Sequence, residues 1–216
     1  MADGPKILIV DDEPNIRDLL TTSLRFAGFA VRAVATGAQT ISAVLEEEPD
    51  LILLDLHMPG AHGFSGLIQL RGQMPDIPVA VVSGSDEPYV VRRAIDYGAS
   101  GFIPKSSSLQ LIAEAVGEIL EGEVWLPEAL AGVLDESSED ETKFAEAIAS
   151  LTPQQFRVLN MLTEGLLNKQ IAAELEVSEA TIKAHVTAIF RKLGVRSRTQ
   201  AAVAARRIES SARPGA

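Results

Sequence analysis

The run Leu51-Ile-Leu-Leu-Asp55 constrains the fold of this chain more than any other stretch. Four consecutive apolar residues, preceded by Pro49-Asp50, predict a strand that is buried on both faces, as strands of parallel sheets are. Asp55 stands at the carboxyl end of that strand, and Met58-Pro59-Gly60 then turns the chain away. Ligands and chemistry gather at that edge of open α/β sheets, so Asp55 is a candidate functional residue.

Four more short apolar runs alternate with helical patterns in residues 1–121. The other strands are predicted at Lys6–Val10, Ala30–Val34, Pro78–Val82 and Ser100–Ile103. The helices are predicted to begin near Pro14, Thr36, Leu67, Glu87 and Leu109, with a loop over residues 61–66. Strands that alternate with helices in this way predict a doubly wound α/β domain with five parallel strands.

Apolar residues at helical spacing predict the buried faces of the first and the last of these helices. In the first helix they are Ile16, Leu19, Leu20 and Leu24, with Phe26 nearby. In the last helix they are Leu111, Ile112, Ala115, Val116 and Ile119. We expect these side chains to pack against the sheet.

Polar residues follow four of the five predicted strands. They are Asp11 and Asp12, Asp55, Ser83 and Lys105, in chain order. Carboxylates held close together raise one another's pKa unless a cation lies among them, and Mg²⁺ is the divalent ion that prefers such oxygen ligands. A nucleophilic carboxylate with a metal, a lysine and a hydroxyl group fits phosphoryl transfer.

Together these four segments resemble the receiver domain of two-component response regulators, over about the first 120 residues. The resemblance implies a flavodoxin-like sheet with strand order 2-1-3-4-5 and Asp55 as the phosphoacceptor. It also implies that Mg²⁺ is bound by Asp12, Asp55 and the backbone carbonyl of His57, with Asp11 helping through water.

The resemblance assigns roles to three more residues at the same edge. Lys105 and Ser83 would contact the phosphoryl group. Phe102, three residues before Lys105, takes the place of the aromatic switch residue, which is often Tyr in the family.

An acidic linker is predicted over residues 122–149, between two domains of opposite charge. Residues 1–134 carry 19 acidic and 8 basic side chains, whereas residues 151–216 carry 10 basic and 5 acidic ones. Asp135–Thr142 has too little apolar surface to fold alone, so it is either a solvated tether or the start of a connecting helix that ends near Ile148. The basic second domain indicates a polyanionic partner.

Residues 150–210 predict four helices with clear start and stop signals. Thr152 with Pro153 and Gln155 forms a capping-box start, and Gly165 ends the first helix. Asn168 is predicted to cap the second helix, and Ser178 to cap a third over Glu179–Leu193 that Gly194 ends. The fourth covers Thr199–Ile208. Two helices on a short turn, the second with basic side chains, predict a helix-turn-helix domain.

Three segments of this half resemble the LuxR-type DNA-binding domain: Asn168-Lys-Gln-Ile-Ala-Ala-Glu-Leu, Ser178-Glu-Ala-Thr-Ile-Lys-Ala-His-Val and Arg191-Lys-Leu-Gly-Val. Joined to a receiver, they place the chain in the NarL/FixJ class of response regulators. The resemblance implies that Lys183, Ala184 and Thr187 read bases in the major groove. It implies phosphate contacts from Asn168, Lys169, Thr181, Arg191, Lys192 and Arg196.

These features predict a transcription regulator whose binding to promoter DNA depends on phosphorylation of Asp55. A histidine kinase would supply the phosphoryl group, and the phosphorylated chain would form a homodimer on double-stranded DNA. The protein is not expected to be an enzyme beyond catalysing its own aspartyl phosphorylation and dephosphorylation. No apolar stretch suits a membrane span, and the chain has no cysteine, so we expect a cytoplasmic protein.

Two alternatives remain open at this point. In the first, the chain binds DNA constitutively and the receiver is only a docking module. In the second, the chain is chiefly a phosphate sink or anti-partner with a vestigial DNA-binding domain.

Overall fold

The computed structural model describes residues 4–58, 61–62, 64–130 and 139–209. The turn predicted at Pro59-Gly60 and the first half of the acidic stretch, residues 135–138, lie outside these ranges. Within the described ranges no helix combines the length and the apolar character needed to cross a bilayer.

A five-stranded parallel sheet forms the centre of the first domain, as the alternating pattern predicts. Its strands are β1 (Lys6–Val10), β2 (Ala30–Val34), β3 (Leu51–Asp55), β6 (Val79–Ser83) and β7 (Gly101–Pro104). Their order is β2-β1-β3-β6-β7, which confirms the flavodoxin-like topology. The central strand β3 is buried along its whole length because neighbours flank it on both sides and helices cover both faces.

A short antiparallel hairpin after β3 was not predicted from the sequence. Its strands are β4 (His57–Met58) and β5 (Ala61–His62), and His57 pairs with His62. Residues 61–66 are therefore only partly a loop, and the following helix begins at Ser65 rather than near Leu67. A two-residue strand has too few positions to show the alternating pattern that identifies longer strands.

Helices cover both faces of the sheet and create two separate apolar cores. They are α1 (Pro14–Phe26), α2 (Gly37–Glu46), α3 (Ser65–Gln73), α4 (Pro88–Asp96) and α5 (Leu109–Leu120). Alternate residues of β3 point to opposite faces, so Leu51 and Leu53 join one core with α1 and α5, whereas Ile52 and Leu54 join the other. Trp125 forms a bridge to Gly101 and extends the first of these cores.

Three apolar residues assigned to buried helix faces are exposed instead. Leu19 is 48%, Phe26 96% and Leu111 38% exposed, which corrects the prediction for these positions. In α1 only Leu20 and Leu24, one turn apart, lie fully in the core. Leu19 precedes Leu20 by one residue, a rotation of about 100° around the helix, and so it turns away from the sheet.

Among the residues that the structure describes, five α-helices follow the sheet domain. They are α6 (Glu139–Ala149), α7 (Pro153–Thr163), α8 (Asn168–Glu174), α9 (Glu179–Leu193) and α10 (Arg198–Glu209). The α6 bounds favour the connecting-helix alternative over a fully solvated tether. The capping box of Thr152 and Gln155, the Ser178 cap and the left-handed Gly194 are all confirmed.

The predicted cap of the second helix is wrong by one residue. Leu167 occupies the N-cap position, and Asn168 is the first residue inside α8. The backbone N–H of Leu167 donates to Oε1 of Gln170 at 2.7 Å. The glutamine side chain thus satisfies a helix-end amide, although the cap residue itself has no polar side chain.

The connecting helix α6 packs against both halves of the protein. It contacts α3 and α4 on the sheet side and α9 on the other side. At the closest point a Cβ added to Gly72 would lie 2.6 Å from the carbonyl oxygen of Ala149. The turn after α6 is held to α9, because Nζ of Lys192 donates to the carbonyl oxygen of Ser150 at 2.5 Å and to Oε1 of Gln155 at 2.9 Å.

The close approach at Gly72 predicts opposite effects for two helical glycines. Gly72→Ala should lower the free energy of unfolding by about 1–3 kcal/mol, because the new methyl group collides with backbone that cannot rotate away. Gly117→Ala is the matched control: a Cβ there meets nothing within 4 Å. It should raise stability by up to about 1 kcal/mol through helix propensity. Urea unfolding of both variants measures the difference, and equal effects would contradict the contact.

Candidate functional site

The sheet brings the polar residues that follow four strands to one edge. Asp11 and Asp12 follow β1, Asp55 ends β3, Ser83 ends β6 and Lys105 follows β7. Carboxylate oxygens of Asp11, Asp12 and Asp55 lie within 4.8 Å of one another. The strands that carry these residues are separated in the chain, and the parallel sheet brings the residues together because the carboxyl ends of its strands share one edge.

Lys105 is the cation at the centre of this acidic site. Its Nζ lies 2.8 Å from Oδ2 of Asp11, 2.9 Å from Oδ2 of Asp55 and 3.4 Å from Oε1 of Glu13. The side chains of Asp11 and Asp55 are each 2% exposed. The ammonium group therefore links two buried carboxylates that would otherwise repel each other.

Burial and charge act in opposite directions on the two central groups. Burial raises the pKa of Asp55 above its ordinary value, and the hydrogen bond and charge of Lys105 offset this only in part. For Lys105 burial alone would lower the pKa, but the contacts with Asp11 and Asp55 outweigh it and raise the pKa. Lys105 therefore stays charged, while the ionised form of Asp55 is kept at a cost in free energy.

The residues at this edge fit a hard divalent cation. Oδ2 of Asp11 is buried and has its ion pair with Lys105 but no hydrogen bond within the described ranges. Asp12 adds a half-buried carboxylate to those of Asp11 and Asp55. Lys105 contributes one positive charge to this cluster of three carboxylates. An all-oxygen donor set with excess negative charge is what Mg²⁺ prefers.

The remaining predicted residues of this site are His57, Ser83 and Phe102. The backbone N–H of His57 donates to Oδ1 of Asp55 at 3.2 Å. Ser83 is fully buried, and its Oγ accepts from the N–H of Ser85 at 3.2 Å. Phe102 is also fully buried, inside the core that contains Ile52 and Leu54. Its role as a moving switch residue stays a prediction.

A second candidate surface lies on α9. Five residues at positions i, i+1, i+4, i+5 and i+8 line one shallow groove: Lys183, Ala184, Thr187, Ala188 and Arg191. Ile182 and Ile189 are buried on the opposite side, which fixes the rotation of the helix. Ala188 was not singled out from the sequence, although its spacing from Ala184 and Thr187 places it on the same face.

The residues predicted to contact DNA phosphates have different surroundings. Lys169, Thr181, Arg191 and Arg196 are exposed, and Asn168 is half-buried at the start of α8. Lys192 instead uses its ammonium group on Ser150 and Gln155 within the protein. A DNA contact from Lys192 would have to compete with these two hydrogen bonds.

Two family descriptions match the chain, one for each half. "Response regulator receiver domain" matches residues 7–117, and "Bacterial regulatory proteins, luxR family" matches residues 149–205.

Relatives match both halves at once. "Glycerol metabolism activator" of Pseudomonas putida is 42% identical over 96% of this chain and 97% of its own length. "Nitrate/nitrite response regulator protein NarL" of Escherichia coli K12 is 34% identical over 91% of this chain and 93% of its own. A solved structure of RcsB from Salmonella enterica serovar Typhimurium, bound to promoter P1flhDC with phosphomimetic BeF3−, has a TM-score of 0.56 and 21% identity. The match covers 94% of this chain and 98% of that one, and at this identity it shows a shared fold.

The raised pKa of Asp55 predicts that the ionised form of this carboxyl group destabilises the metal-free protein. A carboxyl group whose pKa is higher in the folded state supports folding below its unfolded value, here 3.8, and loses that support as the pH rises through the folded value. Asp55→Asn should therefore raise the free energy of unfolding at pH 7 in a chelating buffer. The gain over wild type should shrink as the pH approaches 3.8.

Urea unfolding across that pH range measures this effect. Asp76→Asn, at an exposed position of the same domain, is the matched control and should change stability by less than about 0.5 kcal/mol. A variant Asp55→Asn that is less stable than wild type at pH 7 would mean that the pair with Lys105 outweighs burial.

Proposed function

The chain is a response regulator of the class that joins a receiver domain to a LuxR-type DNA-binding domain, and on this premise we propose that phosphorylation of Asp55 controls its binding to DNA. Such a chain is a transcription regulator. The observation that carries the proposal is the buried cluster of Asp11, Asp55 and Lys105 at the carboxyl edge of the sheet. We retain residues 1–121, 122–149 and 150–210 as the receiver, linker and DNA-binding units.

The chemistry follows from what surrounds Asp55. Its carboxylate attacks the phosphorus of a phosphohistidine on a partner kinase, or of a small phosphodonor, and the phosphorus–nitrogen or other donor bond breaks. Lys105 offsets charge on the phosphoryl oxygens, and the Ser83 hydroxyl donates a hydrogen bond to one of them. Asp12, Asp55 and the backbone carbonyl of His57, with Asp11 helping through water, would hold Mg²⁺, and the chemistry that this ion would supply is neutralisation of charge on the phosphoryl oxygens. The chain catalyses only this transfer and its own dephosphorylation, in which water attacks the aspartyl phosphate, the bond between the phosphorus and Asp55 breaks, and inorganic phosphate leaves.

The new dianion changes the balance of charges that holds Lys105. In the unphosphorylated protein the ammonium group bridges Asp11 and Asp55. After phosphorylation it would turn towards the phosphoryl oxygens together with Ser83. Phe102 would adjust with them, and the surface made by α4, β7 and α5 would change. Since α6 packs on α4 as well as on α9, this change has a short route to the DNA-binding domain.

We propose dimerisation as the step that this change promotes. The groove on α9 already exposes Lys183, Ala184, Thr187 and Arg191 in this conformation. Phosphorylation is therefore not required to uncover these side chains. Two copies, paired for example through α10, would place two α9 helices on a two-fold site in double-stranded promoter DNA. Contact with chromosomal DNA implies a cytoplasmic location.

The same exposure favours one alternative function, constitutive DNA binding with the receiver used only for docking. A DNA affinity that is identical in wild type and Asp55→Asn, with and without a phosphate mimic, would support that alternative. The intact acidic cluster favours control by phosphorylation instead.

The proposal predicts a joint response to Mg²⁺ and beryllofluoride, which together mimic the aspartyl phosphate. Affinity for a duplex selected from a random pool and the molecular mass in solution should both rise when the mimic is added. Fluorescence anisotropy and light scattering on the full-length chain measure the two quantities. Neither should change for Asp55→Asn, because the carboxylate that holds the mimic is gone.

Asp76→Asn is the control for loss of one negative charge and should respond as wild type does. A mimic that binds wild type without changing DNA affinity or mass would contradict control by phosphorylation. A mimic that does not bind at all would contradict the assignment of the site.

A further inference from the structure

The groove on α9 has an unusual chemical character for a surface that contacts DNA. Ala184, Thr187 and Ala188 form its centre, and Lys183 and Arg191 stand at its two ends. The cations at the ends suit phosphates or guanine edges. The two central alanines offer no hydrogen-bonding side chain at all.

The hydroxyl group of Thr187 is engaged within its own helix. Oγ1 donates to the carbonyl oxygen of Lys183 at 2.9 Å, so its hydrogen is not available to a base edge. The γ-methyl group is then the part of this side chain that can make an apolar contact. The centre of the groove therefore presents three small apolar groups side by side.

Lys183 is also tied to its own helix, but loosely. Its Nζ lies 3.2 Å from Oε1 of Glu179, and the two side chains are 66% and 48% exposed. An exposed pair of this kind contributes little and breaks easily. Lys183 can thus exchange Glu179 for a hydrogen-bond acceptor on DNA. The side chains at the centre of the groove remain apolar in either case.

We propose that α9 recognises thymine by its C5-methyl group, with Ala184, Thr187 and Ala188 as the reading surface. The inference rests on the proposed function, because it requires α9 to lie in the major groove. Thymine is the only one of the four bases with a methyl group there, and alanine and the threonine methyl are apolar partners that suit it. The small side chains also let the helix backbone approach the bases closely, and the flanking cations match the charge of the DNA.

The first experiment replaces thymine by uracil in a duplex that the full-length protein selects from a random pool. Each thymine of the selected duplex is changed singly to deoxyuridine, which removes the methyl group and keeps the base pair. At two or more thymines of each half-site, the change to deoxyuridine should weaken binding of the duplex by about fourfold. A loss of this size corresponds to the burial of about one methyl group. A duplex in which no thymine shows more than a twofold loss would overturn the proposal.

The second experiment assigns the methyl contact to the protein side. Thr187→Ser removes the γ-methyl group and retains the hydroxyl that bonds to Lys183. At one thymine, the change to deoxyuridine should weaken binding by about fourfold for wild type but by less than about twofold for Thr187→Ser. The effect is smaller because this variant already lacks the γ-methyl group that contacts the thymine methyl group. Thr163→Ser is the matched control, since Oγ1 of Thr163 also donates to a carbonyl of its own helix, at 2.6 Å to Asn160, but lies on α7. It should keep the full loss at every sensitive thymine.

The outcomes separate this inference from the function on which it rests. Tight, mimic-dependent binding with no sensitivity to uracil would overturn methyl recognition and leave phosphorylation control standing. Sensitivity to uracil that is the same in wild type and Thr187→Ser would overturn the assignment to the centre of the groove. Failure to select any duplex would overturn both.

Discussion

The ion pair between Lys105 and the buried carboxylates of Asp11 and Asp55 holds the charged groups at the carboxyl edge of the sheet together. The parallel sheet brings three carboxylates to one edge because its central strands end there. Without a cation these carboxylates would repel each other. Burial raises the pKa of Asp55, and the ammonium group of Lys105 offsets that effect of burial only in part. The free protein therefore holds excess negative charge at this edge, which a bound metal ion would offset and a phosphoryl group on Asp55 would redistribute.

The packing of the helices provides a route by which a change of charge at Asp55 could affect α9. The connecting helix α6 lies against α3 and α4 on one side and α9 on the other, with the backbone of Ala149 almost touching Gly72. Lys192 then fastens the end of α9 to the turn after α6. Since packed helices shift as units, a movement of α4 would be expected to change the position of α9 rather than its internal structure. Lys183, Ala184 and Thr187 on α9 are exposed, so the proposed control would act on where two copies are placed rather than on uncovering these side chains.

Much of this arrangement could be predicted from the sequence, because buried strands and helix caps leave local signals. The apolar run before Asp55 identified the central strand, and Thr152, Ser178 and Gly194 identified helix ends. The errors occurred where tertiary contacts decide. Leu19 and Leu111 follow a helical pattern yet face solvent, and Leu167 occupies a cap position without a capping side chain. The use of Lys192 inside the protein depends on a turn 42 residues away, which no local pattern reveals.

The affinity for Mg²⁺–beryllofluoride, determined with and without a saturating duplex, measures whether Asp55 and α9 are coupled. If the receiver and the DNA-binding surface are coupled, each ligand must tighten the other by the same factor, since coupling free energy is reciprocal. We predict that the duplex strengthens beryllofluoride binding at least about fivefold, and by the factor with which beryllofluoride strengthens duplex binding. Equal affinity for beryllofluoride in free and DNA-bound protein would show that Asp55 and α9 act independently, and would contradict the account.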